Sequence, residues 1–288
     1  PEGVETIGQR SFRLNSLTEI TIASTVTSIG ESAFGANPLA TVTAVGITPA
    51  AIEALTFGGD RSNIDLFVPV GTEENYLNGG WTGFASITEF FPVGLEFVSN
   101  DLLYRITSVT PNEVEVIRGT AIPNDLVLPE IITFENEDFG LVSVGNNAFQ
   151  EVGLTSVTLP NTMRSIGDFA FDQNSLTTIE LPEGLETIGQ RSFRLNSLTD
   201  ITIPSTVVSI GQSAFGGNPL ATVTAEGMIP ATIGTTTFGG DFSGIDLFIP
   251  EGTTQAYLDA DWIGFNSITE IAINITVAPK VFLQGASL

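Results

Sequence analysis

The chain has 288 residues, of which 33 are acidic and 9 are basic, and its formal net charge is −24. Binding to nucleic acid or to an anionic lipid surface requires clustered lysine and arginine, so this charge argues against both kinds of partner. Because the chain contains neither cysteine nor histidine, the sequence predicts no disulfide, no zinc site and no Ser–His or Cys–His nucleophile.

The chain begins with a segment that recurs almost unchanged further on. Pro1–Glu89 matches Pro182–Glu270 at a constant offset and without a gap, and 64 of the 89 aligned pairs are identical. Internal repeats have to be assigned first, because they decide the fold class. The chain therefore contains one large module and a second, partial copy of it.

A shorter period of 22 residues runs inside each copy. Phe171 and Phe193, for example, are one period apart. Glycine, asparagine and proline recur with the same period at other positions of the repeat. Gly189, Asn196 and Pro204 are one example of each. One unit reads P-x-x-[VLM]-x-x-I-G-x-x-[AS]-F-x-x-N-x-L-x-x-[IV]-x-[IL]. A period of about 20–30 residues with such residues at fixed offsets is typical of a leucine-rich solenoid.

The elements of one unit follow from its pattern. Leu198–Ile203 ends in alternating polar and apolar residues, which predicts a strand with one buried face. Val207–Ile210 predicts a second short extended segment, and Gly211 after it is expected to provide a positive φ or a close backbone approach. Asn218 at the next corner needs hydrogen-bond partners, so stacked asparagines are expected to bond the backbone of neighbouring units.

The segment Leu176–Phe193 reads L-T-T-I-E-L-P-E-G-L-E-T-I-G-Q-R-S-F. In this pattern the chain resembles the BspA-like leucine-rich repeats, also called the Treponema pallidum type, although many members have cysteine where this chain has asparagine. The match covers about Pro1–Glu89 and Leu141–Glu270. The resemblance implies a solenoid that is mostly β, with short helical or irregular segments on its convex side.

The predicted domains follow in chain order. They are the C-terminal part of a first leucine-rich repeat module (1–90), a complete second module (91–271), and the start of a different module or a linker (272–288). The second module divides into an N-terminal hairpin cap (91–140), the repeats (141–250) and a C-terminal cap (251–271). The hairpin is predicted from two alternating segments around Ser99, Asn100 and Asp101.

Each array is predicted to end in an aromatic cap. Thr253 is expected to cap a short helix that carries Tyr257 and Leu258 inward, and Trp262 and Phe265 close the last coil. A solenoid needs such a cap because its last hydrophobic face would otherwise meet water. A tryptophan and a tyrosine beside polar residues are also compatible with a sugar platform, which stays an alternative.

Two further contacts are expected from the sequence. The link between the modules is short and apolar, so Phe90, Phe91 and Val93 are expected to be largely buried. Arg191 and Arg194 flank a repeated phenylalanine and are expected to pair with acids of neighbouring coils, such as Asp168 or Asp172.

The outward positions of the predicted concave sheet form the candidate binding face, because a repeat array presents a long regular surface to another macromolecule. In the second module this face consists of Ser156, Thr158, Thr178, Glu180, Asp200, Thr202, Thr222, Thr224 and Asp246. Threonine is also a good strand former, so propensity alone is an alternative reason for its presence.

No catalytic, metal or cofactor site is predicted. The sequence has no G-x-x-x-x-G-K-[ST] loop for phosphates and no D-x-D-x-D-G loop for Ca²⁺. Spacing alone permits a carboxylate pair for glycoside hydrolysis, but the acids mostly occupy variable, solvent-facing positions of the repeats. The chain is therefore expected not to be an enzyme.

The family resemblance implies a function. BspA-like proteins are surface proteins of bacteria, particularly Bacteroidetes, and some bind host matrix proteins or other cells. The expectation is a secreted or cell-surface adhesion module that contacts a protein or glycan on another cell or matrix, with tandem copies of the module in one chain. No run of about 18 apolar residues is present, so direct membrane insertion is not expected.

Other functions are also compatible with the sequence. The chain also fits a purely structural spacer or stalk in a larger secreted protein, or an accessory binding module of a secreted hydrolase. An ice- or crystal-surface binder follows from the threonine rows, but Asp200 and Glu180 interrupt those rows.

Overall fold

The fold is taken from a computed structural model that describes residues 3–119 and 121–272. The different module or linker predicted for 272–288 lies outside these residues, apart from Ala272. The chain divides into two compact units: the first contains Pro1–Leu95 and Ile106–Pro111, and the second contains Glu96–Arg105 and the chain from Asn112 onward. The division predicted from the sequence, at 90/91, stays a prediction.

The first unit is a stack of short parallel strands. Its elements are β1 (Thr6–Ile7), β2 (Glu19–Ile22), β3 (Ser28–Ile29), β4 (Thr41–Ala44), β5 (Ala51–Ile52), β6 (Asp65–Pro69), α1 (Glu73–Asn78) and β7 (Ser86–Phe90). They form two separate parallel sheets, β1–β3–β5 and β2–β4–β6–β7. Two sheets arise because each short repeat of the sequence contains two extended segments with a corner between them.

Antiparallel hairpins precede the repeats of the second module. The strands are β8 (Glu96–Ser99), β9 (Leu102–Val109), β10 (Asn112–Gly119), β11 (Asp125–Val127), β12 (Ile131–Phe134) and β13 (Glu137–Val144). β8 and β9 pair antiparallel around Asn100 and Asp101, which have φ of 48° and 62°, so the predicted hairpin is confirmed. β12 and β13 form another hairpin around Glu135 and Asn136, which was not predicted from the sequence.

The strands of the second unit form three sheets. The elements of its repeats are β14 (Ser156–Thr158), β15 (Ser165–Ile166), β16 (Thr187–Ile188), β17 (Asp200–Ile203), β18 (Ser209–Ile210), β19 (Thr222–Ala225), β20 (Asp246–Pro250), α2 (Thr254–Asp259) and β21 (Ser267–Ile271). One sheet runs β18–β16–β15–β13–β10–β9–β8, with β12 beside β13. The other side carries β17–β19–β20–β21 and a separate pair, β11–β14.

This arrangement corrects the predicted face, which assumed one continuous sheet. Thr178 and Glu180 are exposed and lie in no strand, so they separate β14 from β17. The coil still stacks on its neighbours, because Leu176 is fully buried and its carbonyl accepts a hydrogen bond from the N–H of Ser197 at 2.8 Å.

A column of phenylalanine rings forms the core of the second unit. Phe149, Phe171, Phe193, Phe215 and Phe238 stack on one another with ring centroids 5.3–5.8 Å apart. The first four are completely buried. Full burial of one such side chain contributes about 1.5–3 kcal/mol, so the column is a major source of coil-to-coil stability.

The repeated asparagines form the expected ladder. Asn196 donates its Nδ2 to the carbonyl of Phe171 in the preceding coil at 2.9 Å and to that of Phe193 at 3.1 Å. Its Oδ1 accepts the N–H of Leu176 at 3.0 Å. Asn174 and Asn218 make the same set of bonds. Each asparagine therefore satisfies buried backbone groups of two coils.

The repeated glycines allow close backbone approach, one of the two roles expected for them. A Cβ on Gly189 would lie 2.5 Å from the carbonyl carbon of Gly167, and one on Gly211 would lie 2.4 Å from the backbone nitrogen of Gln190. The left-handed residues come two and six positions later, at Arg191 and Leu195, with φ of 54° and 53°.

The C-terminal caps seal the last coil, and this excludes the sugar-platform alternative. Trp262 and Tyr257 are 0% and 1% exposed, so neither ring offers a face to a ligand. The Trp262 Nε1–H donates to the carbonyl of Ala231 at 2.9 Å, and the Tyr257 hydroxyl donates to that of Gly227 at 2.7 Å. Trp81 and Tyr76 repeat both bonds in the first unit.

The predicted helix cap is wrong in its details. The Thr253 hydroxyl donates to the carbonyl of Pro250 at 2.6 Å and caps no helical N–H. Glu270 on β21 accepts the N–H of Thr254 at 3.1 Å instead, and the Thr254 hydroxyl and nearby backbone N–H groups hold the pKa of Glu270 below its usual value. Leu258 is exposed rather than inward.

The apolar link is only partly buried. Phe90 and Phe91 are half-buried, but Val93 is 63% exposed, so the expectation for Val93 is wrong.

Candidate recognition surface

The structure brings five of the nine predicted face residues together on one sheet. β17, β19 and β20 pair in register, so Asp200, Thr222 and Asp246 form one row, and Thr202 and Thr224 lie in the next. These five residues, which occupy two adjacent rows, are together called the outward row. Ser156 and Thr158 lie on β14, which pairs with β11 and not with this sheet.

Burial alternates along these strands as the sequence predicts. Asp200 and Thr202 are exposed, and the three other residues of the outward row are half-buried. Between them, Ile201 and Val223 are 2% and 0% exposed and face the core. The outward row is therefore a solvent-facing surface on a packed, regular support.

The carboxylates on this side of the coils bond their neighbours. Asp246 accepts hydrogen bonds from the Ser267 hydroxyl at 2.6 Å and from the Asn266 amide at 2.7 Å. Both hydrogen bonds, and the one from Ser267 most strongly, hold the pKa of Asp246 below its usual value. Asp125 accepts from Ser156 at 2.8 Å in the same way, and Ser156 also lowers its pKa. Both carboxylates therefore connect adjacent strands.

These bonds predict a loss of stability in acid. A carboxyl whose folded pKa lies below the ordinary value of about 3.9 stabilises the fold above that value, and the contribution disappears as pH falls through the folded pKa. The free energy of unfolding should therefore fall as the pH is lowered from about 5 through the folded pKa of these carboxyls. Asp246→Asn should reduce that fall when urea midpoints are measured across the range.

Ser267→Ala serves as the companion variant, because it removes the largest cause of the Asp246 shift. It should reduce the acid dependence in the same direction. An unchanged pH profile in both variants would contradict the assignment.

The predicted arginine pairs are confirmed for one residue. The Arg194 Nε lies 3.0 Å from the Asp172 Oδ1, whose side chain is only 1% exposed. Gln150 donates to the other oxygen of Asp172 at 3.1 Å. The pair is therefore more buried than the surface pair expected from the sequence. Arg191 instead lies over the ring of Phe169, 5.5 Å from its centroid.

A second surface was missed in the sequence. The serine or threonine that precedes each repeated Ile-Gly lies outward on β15, β16 and β18, as Ser165, Thr187 and Ser209. A groove follows these residues across the coils. The signal was present, since a hydroxyl recurs at the same position of each of these repeats, but the short strands around it gave little reason to expect a sheet.

The described part of the chain contains no metal-type cluster and no membrane-spanning helix. No group of three or more Asp and Glu residues in it is placed to hold a metal ion. Its two helices have six residues each, and no helix within the described ranges is long and apolar enough to cross a membrane.

A family model matches more than half of the chain. The BspA type leucine-rich repeat region matches in six copies, over residues 1–62 and 130–243. The chain belongs to the BspA-type leucine-rich repeat family. The predicted family and fold class are therefore confirmed, and proteins with these repeats are typically non-catalytic.

Several solved structures are similar to part of this chain. A leucine-rich repeat protein from Bacteroides capillosus is 29% identical, with 46% of this chain and 99% of that chain covered and a TM-score of 0.41. The pneumococcal vaccine antigen PcpA is 20% identical, with 56% and 51% covered and a TM-score of 0.44. No curated protein matches the chain.

A leucine-rich cell surface protein from Faecalibacterium prausnitzii is 15% identical, with 62% of this chain and 55% of that chain covered and a TM-score of 0.38. The chain thus spans about half the length of this protein and of PcpA. These likenesses say nothing about a ligand.

Proposed function

We propose that this BspA-type chain is a non-catalytic recognition module, secreted or displayed on a bacterial surface, that binds a protein or glycan through the outward row. The family supports an interaction or surface role. The proposal rests on one observation in particular, the retention of this row in both copies of the module.

The outward row has a nearly identical counterpart in the first unit. Thr202, Thr222, Thr224 and Asp246 correspond to Thr21, Thr41, Thr43 and Asp65, and the remaining pair is Asp200 and Glu19. The same register holds there between β2, β4 and β6. Strand propensity alone would accept valine or isoleucine at such positions, so keeping the polar side chains favours a surface with a role in recognition.

A structural spacer is the second candidate, and one observation favours it. Asp246 is already bonded to Ser267 and Asn266, so this carboxylate stabilises the sheet whether or not a partner binds. A spacer predicts that removing residues 91–271 shortens the reach of the protein and leaves affinity for every partner unchanged.

The test uses the full chain on a glycan array and on a panel of immobilised matrix proteins. Asp200→Lys should weaken binding, and Asp200→Lys combined with Glu19→Lys should weaken it at least tenfold, about 1.4 kcal/mol. Both units are changed because an intact second face would mask the loss. If the double variant still binds with full affinity, the outward row is not the binding surface.

Asp259→Lys provides the matched control, because it makes the same charge change on α2, outside the sheet. It should leave binding unchanged. If no partner binds at all, the spacer is favoured.

A further inference from the structure

The second surface is a continuous groove across the coils of the second unit. Ser143, Ser165, Thr187 and Ser209 are in register on neighbouring parallel strands, and Thr232 pairs with Ser209 in an isolated bridge. Two adjoining cavities of about 650 and 500 Å³ follow this hydroxyl row. Both cavities are lined by Asn146, Ser165 and Gly167, so they form one groove.

The polar groups in the groove are open to a ligand. The hydroxyls of Ser165, Thr187 and Ser209 are on half-buried residues, and none of them makes a hydrogen bond to another described residue. The side-chain amides of Gln190 and Gln212 are equally free within the described ranges. Polar groups in such a position favour hydrogen-bonded partners. In the two other sheets of this unit, by contrast, Ser156 and Ser267 are bonded to aspartates.

The charges of the groove nearly cancel. At one end Arg105 bonds both Glu96 and Glu115 at 2.7 Å. Arg118 also lines this end, is exposed, and has no ion pair with any residue in the described part of the chain. With Asp168 further along, the groove is close to neutral in a chain of net charge −24.

These features identify a class of ligand. Protein partners anchor through aromatic or apolar side chains in desolvated pockets. No described residue that lines this groove is aromatic, and its apolar lining residues are either buried in the core, as Ile166 and Ile188 are, or half-buried at one end, as Leu103 and Ile117 are. A polyanion would meet repulsion from the acidic chain. An uncharged polymer with hydroxyl donors and acceptors along its length matches both the open hydroxyls and amides and the low charge.

We propose that this groove binds an extended, uncharged polysaccharide chain. It is a separate site from the outward row, which lies on the other sheet. Hydroxyls of successive sugars bond Thr187, Ser209 and the neighbouring glutamines, while the Arg118 guanidinium donates to sugar oxygens at one end.

The first unit offers an internal comparison. Its cavity of about 490 Å³ is lined by Gln9, Glu31 and Glu53, among others. Glu31 and Glu53 correspond to Gln212 and Gly234 in the second unit. The first-unit surface is therefore more acidic and is expected to bind such a polymer more weakly.

The test measures binding of the full chain to soluble neutral polysaccharides by affinity electrophoresis and calorimetry. The probes are mixed-linkage β-glucan, galactomannan and arabinoxylan, with polygalacturonate and a random peptide library as the competing classes. Binding to at least one neutral polymer is expected, and added salt should not weaken it because few charges take part. Binding only to polygalacturonate or to peptides, or to none of the probes, would overturn the proposal.

Thr187→Arg fills the centre of the groove and should weaken binding at least tenfold. Its matched control is Thr6→Arg, the equivalent position in the first unit, which should have no effect. Gln190→Ala removes a free amide without adding bulk, so it tests the site if Thr187→Arg fails to fold, and should weaken binding severalfold. Equal losses in Thr187→Arg and Thr6→Arg, or full binding by Gln190→Ala, would contradict the site.

One variant separates the two proposals. Asp200→Lys alters the outward row and should leave polysaccharide binding unchanged. If Asp200→Lys loses polysaccharide binding and Thr187→Arg keeps it, the ligand binds the outward row and the groove proposal is wrong.

Discussion

Replacing Phe193 with alanine is expected to lower the free energy of unfolding by about 3–5 kcal/mol. The ring is completely buried and stacks between Phe171 and Phe215, with centroids 5.3 and 5.5 Å away. Its removal leaves a cavity and ends both stacks, and the neighbouring coils are fixed by their own ladder bonds, so they collapse little. Urea unfolding of the full chain, with the two units followed separately, measures the loss.

Phe12→Ala is the matched control, because Phe12 is the equivalent residue of the first unit. It is 45% exposed, and among the described residues its ring stacks only on Phe34, 5.4 Å away. The loss should be less than half of that for Phe193→Ala. Equal losses would mean that the phenylalanine column contributes less than its burial indicates.

Gly189→Ala is expected to destabilise the second unit by about 3 kcal/mol, the upper part of the range for overpacking. The new methyl group would lie 2.5 Å from the carbonyl carbon of Gly167 and 2.6 Å from the backbone nitrogen of Asp168. Both atoms belong to the main chain of the adjacent coil, which moves only if the two coils separate. A fall in the thermal unfolding temperature of this unit measures the effect.

Gly8→Ala should act in the opposite direction. Gly8 is the equivalent of Gly189, but its added Cβ meets nothing within 4 Å. Alanine should then stabilise by about 0.4–1 kcal/mol, because it restricts the unfolded chain. If both substitutions had the same sign, close coil packing would not be the reason for the repeated glycine.

The internal repeat made much of the fold predictable. Phe193, Asn196 and Gly189 all recur at one constant step along the chain, and a residue that returns at a fixed step in a stack meets its own copy in the next coil. The phenylalanine column, the asparagine ladder and the close glycine approach follow from that rule. The hairpin at Asn100 and Asp101 was equally local, because turn residues between alternating segments indicate it.

The candidate surfaces were harder to predict. The outward row of β17, β19 and β20 follows from alternation, but the absence of a strand at Thr178 and Glu180 does not, since their sequence keeps the same pattern as the coils around them. The groove could not be predicted because its open hydroxyls are recognised only once the structure shows which hydroxyls already have hydrogen-bond partners. Ser267 and Thr187 look alike in the sequence, yet only Ser267 lies beside an aspartate, Asp246, in the next strand.

The sequence by itself determined the family, the period and the core of each coil, because these are set by side chains that repeat locally. The tertiary structure decided contacts between segments far apart in the chain. Glu270, and not Thr253, bonds the start of α2. Arg61 is buried against Phe84 and bonds the carbonyl of Ala54, at a position where the second copy has phenylalanine. Composition alone would place that arginine in water, and only the surrounding carbonyls and rings make its burial favourable.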